Sequence, residues 1–163
     1  MNCARLRKIK DNFQGDFMFV VNVEGAIRRN EKWLLIRRSE KEEHAGGALS
    51  LVGGKCEIEG DSSDILERTL KREVFEEVGS EITDIKYVNS SSFVTESGIN
   101  VIDIVFLCQH KSGEPYAKSI EEVDDVVWMT TSEVLDHTEL PTFLKENIKL
   151  AEKILQDDLQ ENY

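Results

Sequence analysis

The sequence predicts a mixed α/β domain, and three observations predict it. Short β-branched and aromatic runs such as "FMFVVNV" recur along the chain at strand length. Among them lies one helical stretch, 62–78, that stops at a glycine. After Pro141, Leu144, Ile148, Ala151, Leu155 and Leu159 recur at threes and fours, the interval of an amphipathic helix over about residues 142–160 packed on the sheet. No repeat, low-complexity tract or Pro/Gly/Ser linker interrupts the 163 residues, so 1–163 read as one domain, long enough for a real core.

Each element follows from local chemistry. Phe17 to Val23 reads as a buried strand, Asn30 and Glu31 as a turn, and Trp33 to Arg37 as the second strand. "EKEEHAGGAL" is loop, followed by a short strand near Leu49 to Val52 and a turn through Gly53 and Gly54. The 62–78 helix has Asp61, Ser62 or Ser63 as N-cap and Gly79 as its stop. Tyr87 to Val94 and Val101 to Cys108 are strands joined through "TESGIN", and Val126 to Met129 is a further strand. Thr130 and Glu133 then have the spacing of a capping box for a short helix through Leu135.

Composition excludes several classes. Asp and Glu number 32 against 20 Lys and Arg, a formal charge of −12, which argues against a general binder of nucleic-acid polymers. It leaves small phosphorylated ligands open, because a metal can supply the missing positive charge. Cys3, Cys56 and Cys108 are too scattered for a disulfide framework or a thiolate zinc site, so reduced thiols and a cytoplasmic location are expected. No run is long enough to span a membrane, and the basic start lacks the apolar stretch of a signal peptide.

The helix carries the chemistry. Leu66, Leu70, Glu73 and Glu77 follow one another at four, three and four residues, so a core-facing stripe begins apolar and turns acidic, with Glu76 beside it. Clustered carboxylates at the edge of a packed face either raise their pKa values or bind cations, and hard oxygen ligands suit Mg²⁺ or Mn²⁺. Arg72 stands next to them and can fix one carboxylate by pairing with it.

These residues, "GGK…REVFEEVG", resemble the Nudix box: a glycine, five residues, a glutamate, seven residues, then R-E-apolar-x-E-E-x-G-apolar. Gly54 supplies the first glycine, and Arg72, Glu73, Val74, Glu76, Glu77 and Gly79 match the helical end. The stretch from Gly54 to Arg72 is four residues longer than the pattern, its internal acid is best matched by Asp64, and Ser80 takes the last apolar position. "NEKWLLIRRS", "ALSLVGGK" and "EEVDDVVWMTTSEV" are similar to the family's flanking elements.

The resemblance implies an α/β/α sandwich with a mixed sheet that hydrolyses a diphosphate bond in a nucleoside diphosphate linked to another moiety, such as a nucleotide sugar, ADP-ribose or a nucleoside triphosphate. It implies divalent metal held by Glu73, Glu76, Glu77 and the backbone carbonyl of Gly53. Glu73 is one candidate for the general base, and Glu122, with Glu121 its direct rival, matches a distal acid that joins the metal or serves as base. One of Arg37 and Arg38 would face substrate phosphate. Members are often homodimers. Trp33, Trp128, His44 and Cys56 read better as core or surface residues than as ligands. The rival function is a nucleotide-sensing domain that does not cleave. A diphosphate isomerase is disfavoured, because His44, His110 and His137 are scattered.

Overall fold

A computed structural model describes residues 18–41 and 45–161. Cys3, Phe17 at the start of the first expected strand, and His44 lie outside the described residues. The elements are β1 (Phe19–Arg29), β2 (Lys32–Arg38), β3 (Leu49–Ser50), β4 (Val52–Lys55), α1 (Ile65–Val78), β5 (Glu81–Val94), β6 (Asn100–Ser112), β7 (Val123–Thr130), α2 (Thr131–Asp136) and α3 (Thr142–Glu161). The mixed α/β reading holds; the strand expected near Leu49 to Val52 divides into β3 and β4, and the other strands run longer than their apolar cores.

One mixed sheet of seven strands organises the molecule, with β3-β2-β1-β6-β5 as its main path, β4 paired to β1 and β7 paired to β2. β1 turns into β2 through Asn30 and Glu31, both at positive φ, the conformation a two-residue hairpin demands. The two strands then part. β1 runs parallel to β6 from Phe19↔Asn100 to Arg28↔Gln109, while β2 pairs antiparallel with β7.

Alternation along the strands sorts side chains into two cores. Ile27, Leu34, Ile36, Phe106 and Cys108 face α1 and bury Leu70, Val74 and Val78. Their neighbours Ala26, Trp33, Leu35, Val105 and Leu107 face the other way and bury Leu144, Ile148 and Ala151 of α3. Trp33 is fully enclosed, and its indole N–H donates to Thr131 Oγ1 at 2.9 Å. Trp128 is half-buried on the α1 side, with the Arg29 guanidinium 4.2 Å above its ring.

Two local readings need correction. Gly53 and Gly54 form no turn. They lie inside β4, paired with Glu24 and Val23 of β1. A Cβ at Gly53 would sit 2.0 Å from the Val23 carbonyl oxygen, so the strand approaches that closely only without side chains. The helix also begins later than 62. Asp64 is its N-cap, at φ 54 and without a side-chain cap bond. The cause is Arg68, whose guanidinium takes the Ser63 carbonyl, the Glu59 carboxylate and Ser62 Oγ, holding 59–63 as a folded loop. The Thr130–Glu133 capping box is present as the spacing requires. Among the described residues no helix is long and apolar enough to cross a membrane.

Candidate active site

The acidic end of α1 lies against the glycine strand. Glu73 packs so tightly on β4 that a Cβ at Gly54 would fall 2.3 Å from its carboxyl carbon. The helix ends at Gly79, whose left-handed φ of 70° lets its N–H close onto the Phe75 carbonyl. The segment after β6 then runs back across this end. Tyr116 N–H bonds the Val78 carbonyl, and the Lys118 and Ser119 N–H groups both bond the Glu77 carbonyl. The last turn of the helix, which carries the acids, is thereby fixed from outside.

The three glutamates differ sharply in environment. Glu77 is 6% exposed, and its Oε2 is buried without a hydrogen-bond partner. The side chain of Glu73 is 13% exposed and that of Glu76 54% exposed. Arg72 bridges the last two, at 2.8 Å to Glu73 Oε1 and 2.9 Å to Glu76 Oε2. Sequence reasoning gave it one partner; the structure gives these two and adds a third carboxylate, Glu57 at 4.0 Å, and a hydrogen bond to the Lys55 carbonyl at 3.4 Å.

Electrostatics follow from this packing. The Glu77 carboxyl is pushed up to about 8, by burial first and then by the nearby Glu122 and Glu73 carboxylates, against the Gly53 amide and Arg38. Burial also raises Glu73, opposed by its ion pair with Arg72 and reinforced by Glu76 and Glu122. Glu122, not Glu121, is therefore the loop acid that the helix acids feel. Ser119 Oγ donates to Glu122 Oε2 at 2.7 Å, whereas Glu121 turns to Lys41 Nζ at 3.1 and 3.2 Å.

The neighbouring arginines also separate. A bulge falls between Arg37 and Arg38. Arg37 donates to the Gly47 carbonyl at 2.9 Å and so ties a loop, while Arg38 lies near enough to Glu24 and Glu77 to lower both pKa values.

Sequence reasoning missed a second acid group beside the first. Enclosure and the adjacent Asp103 push Glu24 on β1 up to about 8, with Glu77 adding to the effect. Asp103 on β6 is buried and accepts a hydrogen bond from Asn22 Nδ2 at 2.8 Å. The signal was available. Each is a single acid inside an apolar strand run, "VVNVEGA" and "VIDIVFL", where a solvated face is not expected.

Whether this site fits a divalent metal is testable on its own atoms. Among the described residues no three His, Cys, Asp or Glu side chains converge closely enough to hold an ion as they stand. The donors are nevertheless hard oxygens, and the buried Glu77 Oε2 lacks any partner, which is the state of a ligand oxygen awaiting a cation. The residues present fit the group.

A model of the NUDIX domain matches residues 18–151. The chain belongs to the NUDIX family. Members of the family generally use divalent metal ions. Among NUDIX relatives, the NAD-capped RNA hydrolase NudC of Mannheimia succiniciproducens is 34% identical over 110 residues, 66% of this chain and 38% of that protein. NudC of Photobacterium profundum is 28% identical over 109 residues, covering 67% and 37%. This chain thus spans well under half the length of those curated relatives. The fold matches the MutT protein of Methanosarcina mazei with a TM-score of 0.70 at 24% identity, over 86% of this chain and 97% of that one. It matches the NUDIX domain of Shewanella oneidensis NrtR, solved with ADP ribose, with a TM-score of 0.70 at 20% identity, over 95% and 99%.

Proposed function

We propose that the chain hydrolyses a diphosphate bond in a nucleoside diphosphate linked to another moiety, using Mg²⁺ or Mn²⁺. One observation carries the reading: a buried carboxylate, Glu77, with an unpartnered oxygen, beside Glu73 and Glu122 at the glycine strand. Glu73, Glu76, Glu77 and Glu122, with the Gly53 carbonyl, would hold the metal. Bound there, a divalent ion polarises phosphate oxygens and acidifies a water.

The chain's own residues do the rest. Arg72 holds Glu73 in one rotamer, so that carboxylate is oriented before ligand arrives. Arg38 sits beside the acids and supplies a guanidinium to a substrate phosphate. Arg37, engaged with Gly47, acts on the loop and reaches phosphate only indirectly. Glu122 takes the proton from the attacking water, with Glu73 the alternative base. Glu121, paired with Lys41, takes no part.

We assign the four extra residues between Gly54 and Arg72 to the exposed loop before the helix, where Arg68 bonds Glu59 and Ser62 and where added length leaves the spacing of Glu73, Glu76 and Glu77 untouched. The substrate is a small nucleotide in a reducing, cytoplasmic setting, and the active form is a homodimer. The NudC names point to a dinucleotide diphosphate as the reacting group, at the end of an RNA in those proteins. A nucleotide-sensing role is the second reading, favoured by the near-complete overlap with the NrtR domain bound to ADP ribose.

The test is a panel of NAD, ADP-ribose, nucleotide sugars and nucleoside triphosphates with Mg²⁺ or Mn²⁺, reading phosphate before and after phosphatase treatment. Turnover that disappears in Glu77→Gln supports the hydrolase. Turnover that persists in that variant sinks the assignment, and a blank panel with nucleotide binding intact favours the sensor.

A further inference from the structure

The geometry points to Ser119 as the positioning residue that aims Glu122 at the acids of α1, an inference that rests on the hydrolase reading above. Glu121 and Glu122 are neighbours on one loop, both exposed, and take different partners. Glu121 is drawn out to Lys41 by a bidentate contact. Glu122, also exposed, is held by a different partner on its own loop. Its tether is the Ser119 hydroxyl, which donates to Oε2 at 2.7 Å from a residue bonded to the Glu77 carbonyl.

Ser119 is itself tied to the site at both ends. Its N–H bonds the Glu77 carbonyl at 3.2 Å, beside the Lys118 N–H at 3.0 Å. Its carbonyl accepts from the Glu122 and Val123 N–H groups at 3.0 and 2.8 Å, closing a tight turn, and the Ser39 N–H holds the Glu122 carbonyl at 2.8 Å. One residue therefore registers the turn that carries Glu122 against the helical turn that carries Glu77. The hydroxyl is also the right chemistry. It orients a carboxylate without neutralising it, whereas a lysine or arginine in its place would cancel the negative charge that a cation needs.

The experiment compares full-length Ser119→Ala, Ser119→Thr and Ser119→Ala in a Glu122→Gln background, with Glu121→Gln as a surface control. Turnover is followed on the substrate found by the panel, and Mn²⁺ binding is measured without substrate by electron paramagnetic resonance. We expect Ser119→Ala to lower kcat and weaken Mn²⁺ binding by roughly tenfold each, in the range of supporting residues at metal sites, with KM unchanged. Ser119→Thr, which keeps the hydroxyl, restores both. In the Glu122→Gln background the alanine has no further effect, because nothing remains to be aimed. Wild-type turnover and Mn²⁺ binding in Ser119→Ala would overturn the proposal, as would an equal loss in the Glu122→Gln background. If no panel member is turned over, the hydrolase reading fails by itself, and the Mn²⁺ comparison still decides the tether.

Discussion

α1 and α3 lie on opposite faces of one sheet and begin alike, yet their core-facing stripes end in opposite ways. On α3, Leu144, Ile148 and Ala151 are buried, Leu155 is half-buried, and Leu159 runs into solvent at 66% exposure. On α1, Leu70 and Val74 are buried and the next position of the stripe, Glu77, is still buried but acidic. The first ending is ordinary, since a single exposed leucine needs no explanation. The second is costly, because burial strips a carboxylate of hydration that one unpartnered oxygen does not recover. A fold tolerates such a residue where it does something other than stabilise the fold. The α3 face therefore ends in packing, and the α1 face ends in a buried acid that packing does not account for.

Glu77→Gln is the strongest way to break that contrast. We expect its turnover to fall by about 10²–10⁴-fold while the fold persists, measured by steady-state kinetics beside circular dichroism. The mirror experiment is Ile148→Ala on α3, which should cost about 2–5 kcal/mol in urea unfolding and leave kcat near wild type below the transition. Together the two variants separate activity from stability by face.

A pH titration of the metal-free protein sharpens the comparison. Glu77 and Glu24 are both pushed to about 8 from an ordinary 4.5, so the folded chain holds protons that the unfolded chain has released. Between those limits the folded state binds more protons, and stability must fall as pH rises from about 4.5 to 8. The expected loss is on the order of a few kcal/mol, seen as a falling Tm in EDTA. Mg²⁺ should flatten the slope, and Glu77→Gln should remove part of it. The smallest effect belongs to Leu159→Gln, expected within about 0.5 kcal/mol of wild type with activity unchanged.

The same contrast explains what could be read from sequence. The order of elements was legible because strand and helix periods are local, and the capping box at Thr130 and Glu133 was legible for the same reason. The stripe arithmetic placed Glu73 and Glu77 toward the packed side and left Glu76 beside it. What escaped depends on partners distant in sequence. Gly53 and Gly54 look like a turn until β1 lies 2.0 Å from where a Cβ would be. The helix start moved to Asp64 because Arg68 reaches back for Glu59, Ser62 and Ser63. Glu24 and Asp103 meet only once β1 and β6 are side by side. Glu121 and Glu122 are indistinguishable as letters and are separated only by Lys41 and Ser119.

The parallel pairing of β1 with β6 also sets a timetable. Asn22 and Asp103 are 81 residues apart, and β1 cannot complete its ladder until β6 exists. A chain emerging from the ribosome as far as Gly79 carries Glu73, Glu76 and Glu77, but neither the strand that anchors β1 nor the turn that brings Glu122. Closing so long a loop costs chain entropy before the β1–β6 ladder rewards it, which slows folding relative to a local topology. During synthesis the acids of α1 are thus made early and joined by Glu122 only later.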